Sequence, residues 1–472
     1  MVSVYMIQES FFNNKRITVF GLGMNMGGIG TVKFLIEQGA REVIVTDIKS
    51  REELGSALEK LTKYKNVTYI LGQHRPEDFV RADMVIKNPV IPWTNEYVKL
   101  AEKNTVPVVM DSSIFFSLCK APIIGVTGTK GKTTTATLIA HILEKSGKKV
   151  VRVGIGQIGV LPLLSTITSE SIVVFELSSW RLSALKYIKK SPHIAVFTNL
   201  YPDHLNYYKS MESYAADKRN IFLFQKENDR VIANAENEVV RNLVQDAPGQ
   251  IVWFGSSDEA YGDGVWREDE TLFVRQNGKQ SVLIPLEQIP LKGEHNIGNV
   301  LAAALAGLAF GLSVEQARSG IKSFPGVEHR LEMIREKNGV CYYDDTTATI
   351  PEATIAALRS FSEPVILIAG GSDKNLRFDS LAEEILNRSK GLILLKGSAT
   401  EKLIIALRGQ FPELERNRPI AVVETMAKAV EMASRSAHPG DVILLSPGAT
   451  SFGIFRNEFD RGEQFRKAVE GL

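Results

Sequence analysis

At 472 residues the chain exceeds what one hydrophobic core organises, and three domains suit it better than two. Apolar residues make up 44% and charged residues 23%, the balance of a soluble globular protein, while a net charge of +2 argues against a general nucleic-acid or polyanion binder. Two cysteines, Cys119 and Cys341, suggest neither a disulfide framework nor a cysteine zinc site, and both are expected to be buried thiols in a reducing compartment.

The first ten residues carry no basic stretch, no long apolar core and no small-residue cleavage site, and no apolar run approaches the ~20 residues that span a bilayer. A cytoplasmic protein without membrane insertion is expected. Residues 17–23 (ITVFGLG) form an apolar run ending in glycines, followed by a helical pattern and a second strand that closes on Asp47. Further strands are expected at 67–71, 83–87 and 106–110, giving a Rossmann-like sheet over residues 1–118. The dinucleotide pattern G-x-G-x-x-G is missed by one residue, because Met26 stands where the third glycine belongs. That disfavours a nicotinamide oxidoreductase and leaves a nucleotide diphosphate at the helix N-terminus as the alternative.

A second series opens at residue 122, with strands expected near 122–126, 149–153, 172–176, 194–198, 230–233 and 251–254 and a hairpin over 271–275 and 281–286. Alternation with helical stretches implies a mostly parallel sheet. After its first strand comes Gly128-Thr129-Lys130-Gly131-Lys132-Thr133-Thr134, which reads as a phosphate-binding loop: backbone N–H groups for phosphate oxygens, a lysine for charge, a hydroxyl for Mg²⁺, and a helix N-terminus behind. The general G-x-x-x-x-G-K-[ST] spacing fails at Val126. Glu176 ends the strand 172–176 and is a candidate Mg²⁺ ligand, although a strand-end Glu is often merely solvated. His204 follows the next strand and suits a metal or a substrate carboxylate, whereas a lone histidine is more often a hydrogen-bonded loop residue. Taken alone, Lys218 reads as a surface helix lysine.

Phe324-Pro325-Gly326-Val327 reads as a linker into a third series, with strands near 340–344, 364–369, 391–395 and 441–445. Three polar loops follow three of these strands: Asp345 to Thr349, Gly370 to Lys374, and Ser446 to Ser451. Each alone is as well explained by turn chemistry, but together they are expected on one sheet edge, facing the ATP domain. The fold class is therefore three consecutive α/β domains: Rossmann-like 1–118, a P-loop ATPase-type domain 119–327 with a mostly parallel sheet, and Rossmann-like 328–472.

Taken in order, the phosphate loop, Glu176-Leu177-Ser178-Ser179, Asp203-His204, Gly293-Glu294-His295-Asn296, His329-Arg330, Asp345 and Leu445-Ser446-Pro447-Gly448 resemble the Mur ligases over the whole chain, most nearly the branch that joins glutamate to UDP-N-acetylmuramoyl-L-alanine. The resemblance implies ATP-driven amide formation through an acyl phosphate, in peptidoglycan precursor synthesis, by a monomer whose third domain swings in. It implies that Gly128 to Thr134, with Lys132 foremost, hold the ATP phosphates. Thr133 and Glu176 would bind one Mg²⁺, and His204 with a carbamylated Lys218 a second. Asn296, Asn299, Arg330 and Asp345 match nucleotide-contacting positions. Thr349, Lys374 and Ser451 match those receiving glutamate, expected as the D-isomer. The UDP-sugar would sit near Gly23, Met24, Asn25, Asp47 and Asn88, with Gln157 and Ser178 contributing.

Some positions depart from the family pattern. Thr347 stands where a lysine is common, Glu458, with Phe459 adjacent, where an aromatic usually closes the glutamate pocket, Gln157 where Asn is common, and Asn88-Pro89-Val90-Ile91 where S-P-G-I is common. These leave open a Mur-like ligase for another amino acid, such as L-glutamate. A folylpolyglutamate-synthase-like enzyme is disfavoured by the Rossmann-like first domain. A nucleotide switch without ligase chemistry would require neither the Glu176, His204, Lys218 set nor a full third domain.

Overall fold

The computed structural model describes residues 7–23, 26–156, 158–257, 261–410 and 420–472. Three sheets flanked by helices follow one another along the chain. The first comprises β1 (Arg16–Phe20), β2 (Glu42–Asp47), β3 (Val67–Leu71), β4 (Met84–Lys87) and β5 (Val108–Val109), all parallel, in the order β3-β2-β1-β4-β5. The chain moves outward from β1 to β3 and then returns to the other side of β1. A crevice therefore opens between the carboxyl ends of β1 and β4.

The second sheet comprises β6 (Ile123–Thr127), β7 (Lys149–Val153), β8 (Ser171–Glu176), β9 (Ile194–Phe197), β10 (Arg230–Asn234), β11 (Gln250–Phe254), β12 (Gly264–Glu268), β13 (Thr271–Gln276) and β14 (Lys279–Pro285), in the order β14-β13-β12-β11-β10-β9-β6-β8-β7. Pairing is parallel from β7 across to β12 and antiparallel from β12 to β14. The expected hairpin is present, turning at Asn277 and Gly278 with φ of 51° and 72°, the left-handed pair that matches strand twist. Strand β12 was not expected. It starts at a glycine and ends in Arg267-Glu268, so no clean alternation marks it, and only Gly264 and Val265 pair with β11.

The third sheet comprises β15 (Glu332–Lys337), β16 (Val340–Asp344), β17 (Val365–Gly370), β18 (Ser389–Leu395), β19 (Ala421–Val423) and β20 (Val442–Leu445), in the order β15-β16-β20-β17-β18-β19. Only β15 is antiparallel to its neighbour. Both unexpected strands, β15 and β19, are edges. The first, Glu-Met-Ile-Arg-Glu-Lys, is charged as edge strands often are, and the second has three residues.

The chain divides into two compact units, Met1–Gln288 with Gly298–Ser323, and Ile289–Ile297 with Phe324–Leu472. In the first unit one continuous core joins the first two sheets. Phe115 and Phe116, on the helix Asp111–Leu118, pack on Phe175 of β8 with ring centroids at 5.2 and 5.8 Å. Beside them Arg181 pairs with Asp111 at 2.9 Å. Each buried ring contributes roughly 2–3 kcal/mol by removal from water, so the chain passes residue 118 inside packed structure. In the second unit, separate apolar clusters cover the sheet. Cys119 and Cys341 are half-buried rather than buried, because the first closes a helix end and the second lies next to the edge strand β15. Burial still pushes both thiols above their ordinary range.

The helix Met26–Glu37 of the first sheet and the segment after β7 of the second also meet backbone to backbone. A Cβ on Gly30, in the helix Met26–Glu37, would lie 2.9 Å from Gly159 Cα and 3.2 Å from Pro162 Cδ. Gly30→Ala gains ~1 kcal/mol of helix propensity but overpacks by ~1–3 kcal/mol. We expect a net loss in urea unfolding, while Gly27→Ala, whose Cβ meets nothing within 4 Å, is neutral or stabilising.

Candidate active site

Strand β6 is buried throughout and delivers the phosphate loop to the middle of the carboxyl edge, between the ends of β8 and β9. Gly131 caps the helix Lys132–Lys145 with φ of 81°, and a Cβ there would lie 2.1 Å from Asn299 Oδ1. Only glycine fits. The loop is held from the β9 side: Asn199 Oδ1 accepts from the Thr129 and Lys130 N–H groups at 3.1 and 2.9 Å, and Thr198 Oγ1 donates to the Lys130 carbonyl at 2.8 Å. Lys132 Nζ lies over the loop, donating to the Gly128 and Thr129 carbonyls at 3.1 and 2.9 Å. Thr133 and Thr134 are half-buried on the first helical turn, and the buried Asn299 accepts from Thr135 Oγ1 at 3.1 Å.

Lys218 is no surface lysine. It lies 1% exposed on the helix Met211–Arg219, and its Nζ donates to the Gly128 carbonyl at 2.8 Å and to Thr127 Oγ1 at 3.2 Å. Burial drives this amine well below its ordinary pKa and the charge of Lys132 adds to the effect, against the pull of Asp203 and Glu176. Glu176 lies opposite Val126 in the sheet register, and its carboxylate makes no hydrogen bond or ion pair among the described residues. His204 is exposed, with φ of 54°, and its ring lies against the Trp180 indole at 4.7 Å with the planes tilted by 43°. Partial burial holds its imidazole below the ordinary value, with Asp203 opposing and the nearby lysines reinforcing. Lys130 Nζ approaches Asp203 at 3.5 Å.

At the first-sheet crevice, Asp47 shapes the glycine turn by accepting from Gly23 N–H and Lys49 N–H, both at 3.0 Å. Asn88 packs against Gly21 and donates to its carbonyl at 3.3 Å. Met24, Asn25 and Gln157 lie outside the described residues. Ser178 caps the helix Ser179–Leu182 by accepting from Arg181 N–H at 3.3 Å.

In the second unit, β16, β20 and β17 are neighbours, so the three polar loops do emerge side by side. Two of them are bridged where Ser372 N–H donates to the Thr450 carbonyl at 2.9 Å. Asp345 is buried, accepting from Ser446 Oγ at 2.8 Å and Leu331 N–H at 3.3 Å. Ser451 Oγ is buried without a hydrogen-bond partner among the described residues, Thr349 is half-buried, and Lys374 and Arg330 are exposed. Asn296 donates to the Lys292 carbonyl at 2.7 Å. Phe459 packs edge-on to His329 at 5.8 Å, and Glu458 accepts through its backbone from Thr346 Oγ1.

Sequence reasoning missed three supports. Asn199 clamps the phosphate loop, and Trp180 backs His204. The fully buried Arg461 ties Thr346 to the Ala449 carbonyl, with hydrogen bonds of 2.8–3.1 Å. Only Asn199, at a strand end beside the loop, carried a usable signal.

Residues 15–110 match the MurD-like N-terminal domain of Mur ligases, 126–307 the Mur ligase middle domain, and 329–448 the Mur ligase glutamate ligase domain. The chain is 43% identical over 465 residues to the UDP-N-acetylmuramoylalanine--D-glutamate ligase of Roseiflexus sp. (strain RS-1), covering 97% of this chain and 99% of the relative. The chain belongs to the Mur ligase family. A Clostridium botulinum (strain Alaska E43 / Type E3) protein of the same name is 38% identical, with 98% of each chain covered. Two solved Mur ligases from Thermotoga maritima share the fold. The UDP-N-acetylmuramate-alanine ligase MurC has a TM-score of 0.61 at 19% identity, covering 97% of this chain and 99% of its own. The MurF ligase, in complex with ADP, has a TM-score of 0.57 at 17% identity, covering 98% and 100%.

This Mur ligase carries a further titration signature in Asp345, whose carboxyl burial raises to about 7, against the pull of Ser446, the Leu331 amide and Arg330. Between about 3.9, the unfolded value, and that level, the folded state holds a proton the unfolded state has lost. Stability from this group therefore falls as pH rises through the window. Thermal melts of Asp345→Asn are expected to lose that slope relative to the parent between pH 4.5 and 7.5.

Proposed function

We propose that this Mur ligase joins D-glutamate to UDP-N-acetylmuramoyl-L-alanine using ATP, as the names of its relatives at 43% and 38% identity suggest. The observation that carries the proposal is the pair of lysines on one phosphate loop: Lys132 and Lys218 both donate to the Gly128 carbonyl, beside an uncommitted Glu176. In the reaction, the substrate carboxylate attacks the γ-phosphorus and ADP leaves. The glutamate amine then attacks the acyl carbon, phosphate leaves and the amine loses its proton. Like charges meet in the first step, so positioned cations are required.

Within Gly128 to Thr134, Lys132 and the loop amides that Asn199 does not take hold the phosphates. Asn296, Asn299, Arg330 and Asp345 take the rest of the nucleotide. The donor set fits Mg²⁺: Thr133 hydroxyl and Glu176 carboxylate are hard oxygens free of other partners among the described residues. Lys218 fits a second ion only after carbamylation, in which its neutral amine adds CO₂ and releases a proton, leaving an anionic carbamate near His204. Its depressed pKa favours the neutral amine. Bound Mg²⁺ would neutralise charge on the transferring phosphoryl group. The nucleotide-sugar is assigned to residues 1–118, at Gly23, Met24, Asn25, Asp47 and Asn88 with Gln157 and Ser178. ATP is assigned to 119–327, and glutamate to 328–472, at Thr349, Lys374 and the orphaned Ser451 hydroxyl.

The test is a panel of D-glutamate, L-glutamate and other amino acids with ATP, Mg²⁺ and UDP-N-acetylmuramoyl-L-alanine, read by mass detection of the UDP-linked product. A product with D-glutamate alone is expected. Product only with another amino acid overturns the substrate, and ATP hydrolysis without any amide overturns the ligase reading. Lys132→Met should lower kcat/KM about 10²–10³-fold, the range for one positioned electrostatic donor.

A further inference from the structure

Within the first unit a continuous path runs from the loop after β4 to His204. Lys87, 1% exposed, donates from Nζ to the Ile91 carbonyl at 2.8 Å and lies 4.4 Å from the Trp93 ring centroid. This fixes the turn Asn88–Trp93 against its own strand. The Trp93 ring packs on Tyr187 at 4.3 Å, and its Nε1–H donates to Ser183 Oγ at 2.8 Å. Ser183 Oγ in turn donates to the Trp180 carbonyl at 2.6 Å. The Trp180 indole packs against His204, ring centroids 4.7 Å apart and the planes tilted by 43°.

Ser183 is 2% exposed and has a single hydroxyl hydrogen. With Trp93 occupying a lone pair, that hydrogen is left to the Trp180 carbonyl, and each bond polarises the other. A displacement of the Trp93 indole therefore changes the seat of Trp180, and with it the wall on which His204 rests.

We propose that Trp93, Ser183 and Trp180 are positioning residues through which the loop Asn88–Trp93 sets the placement of His204, so that filling the nucleotide-sugar crevice tightens divalent-cation binding. This rests on the crevice and cation assignments made under Proposed function. None of the three is a ligand; they act by aiming one. Partners behind a metal ligand commonly change affinity about 10- to 100-fold, and the lower end is expected for a contact made through ring packing. By linkage, the cation tightens the nucleotide-sugar by the same factor.

Free Mn²⁺ is counted by electron paramagnetic resonance with and without UDP-N-acetylmuramoyl-L-alanine, for the parent, Trp93→Phe, Ser183→Ala and the double variant. Trp93→Phe keeps an aromatic ring beside Tyr187 and removes the Nε1–H together with part of the indole, so it reports even where Ser183→Ala fails to fold. The parent should bind Mn²⁺ about tenfold more tightly with the nucleotide-sugar. Either single variant should cut that gain to about twofold or less, with the double variant no worse than the singles. Direct ligation by the substrate carboxylate survives both substitutions, so an unchanged gain in the variants, or none in the parent, overturns the relay. If the parent makes UDP-linked product while the variants keep the full gain, the relay alone fails. If the parent makes no such product, the functional reading fails with it.

Discussion

A lysine amine held beneath a phosphate loop is the constraint on which the central domain depends. Taking an ammonium out of water costs several kcal/mol unless its protons are received. Here the Gly128 carbonyl and Thr127 hydroxyl receive them, and that hydroxyl spends its own hydrogen on the Leu177 carbonyl at 2.8 Å. β6, the segment after β8 and the helix Met211–Arg219 are thereby joined at one point. The geometry explains why a glycine opens the loop: a Cβ on Gly128 would lie 1.9 Å from Thr198 Oγ1, the hydroxyl that holds Lys130. The burial that confines the amine also disfavours its proton.

The other sheets apply the same physics at their carboxyl edges, with different signs of charge. Asp47 answers two part-buried backbone N–H groups at the first crevice, as a carboxylate does best when backbone donors converge on it. In the second unit the roles are inverted. Arg461 is buried among carbonyl and hydroxyl acceptors, its guanidinium lowered to about 10 by burial, with Glu458 and Asp344 opposing the shift. His329 shares its Nδ1 with Asp344 at 2.7 Å, and the sum of its carboxylate neighbours raises its pKa against the opposing effect of burial. These charges brace the loops that carry Asp345, Thr349 and Ser451, leaving the Ser451 hydroxyl uncommitted.

Much of this was legible in the residue order. Apolar runs ending in small polar residues marked nearly every interior strand, because parallel strands are buried on both faces and terminate in loops of restricted backbone geometry. Edges were illegible for the complementary reason: β15 is charged, and β12 is interrupted by Gly264 and closes in charge. Lys218 was unreadable from local pattern. A lysine on the helix MESYAADKR looks solvated, and only the resemblance pointed inward. Asp345 was readable as a strand-end acid but not as one that keeps its proton to about 7, which depends on burial that no local spacing reports. Trp180 and Arg461 carried no signal, since a residue that aims another has no chemistry of its own to advertise.

The union of the first two sheets in one unit gives those aiming residues their leverage. Apolar packing, such as Phe115 and Phe116 on Phe175, is non-directional and tolerates small sliding with little change in energy. A hydroxyl with one hydrogen does not, because moving either neighbour leaves a buried donor or acceptor unmatched at about 1–3 kcal/mol. Between the crevice and His204 the structure places such a hydroxyl, Ser183, bonded to the Trp93 indole on one side and the Trp180 carbonyl on the other. A polar link at that point exchanges tolerance for register. Register is what keeps the crevice at β1 and β4 in fixed relation to the phosphate loop at β6 within one unit.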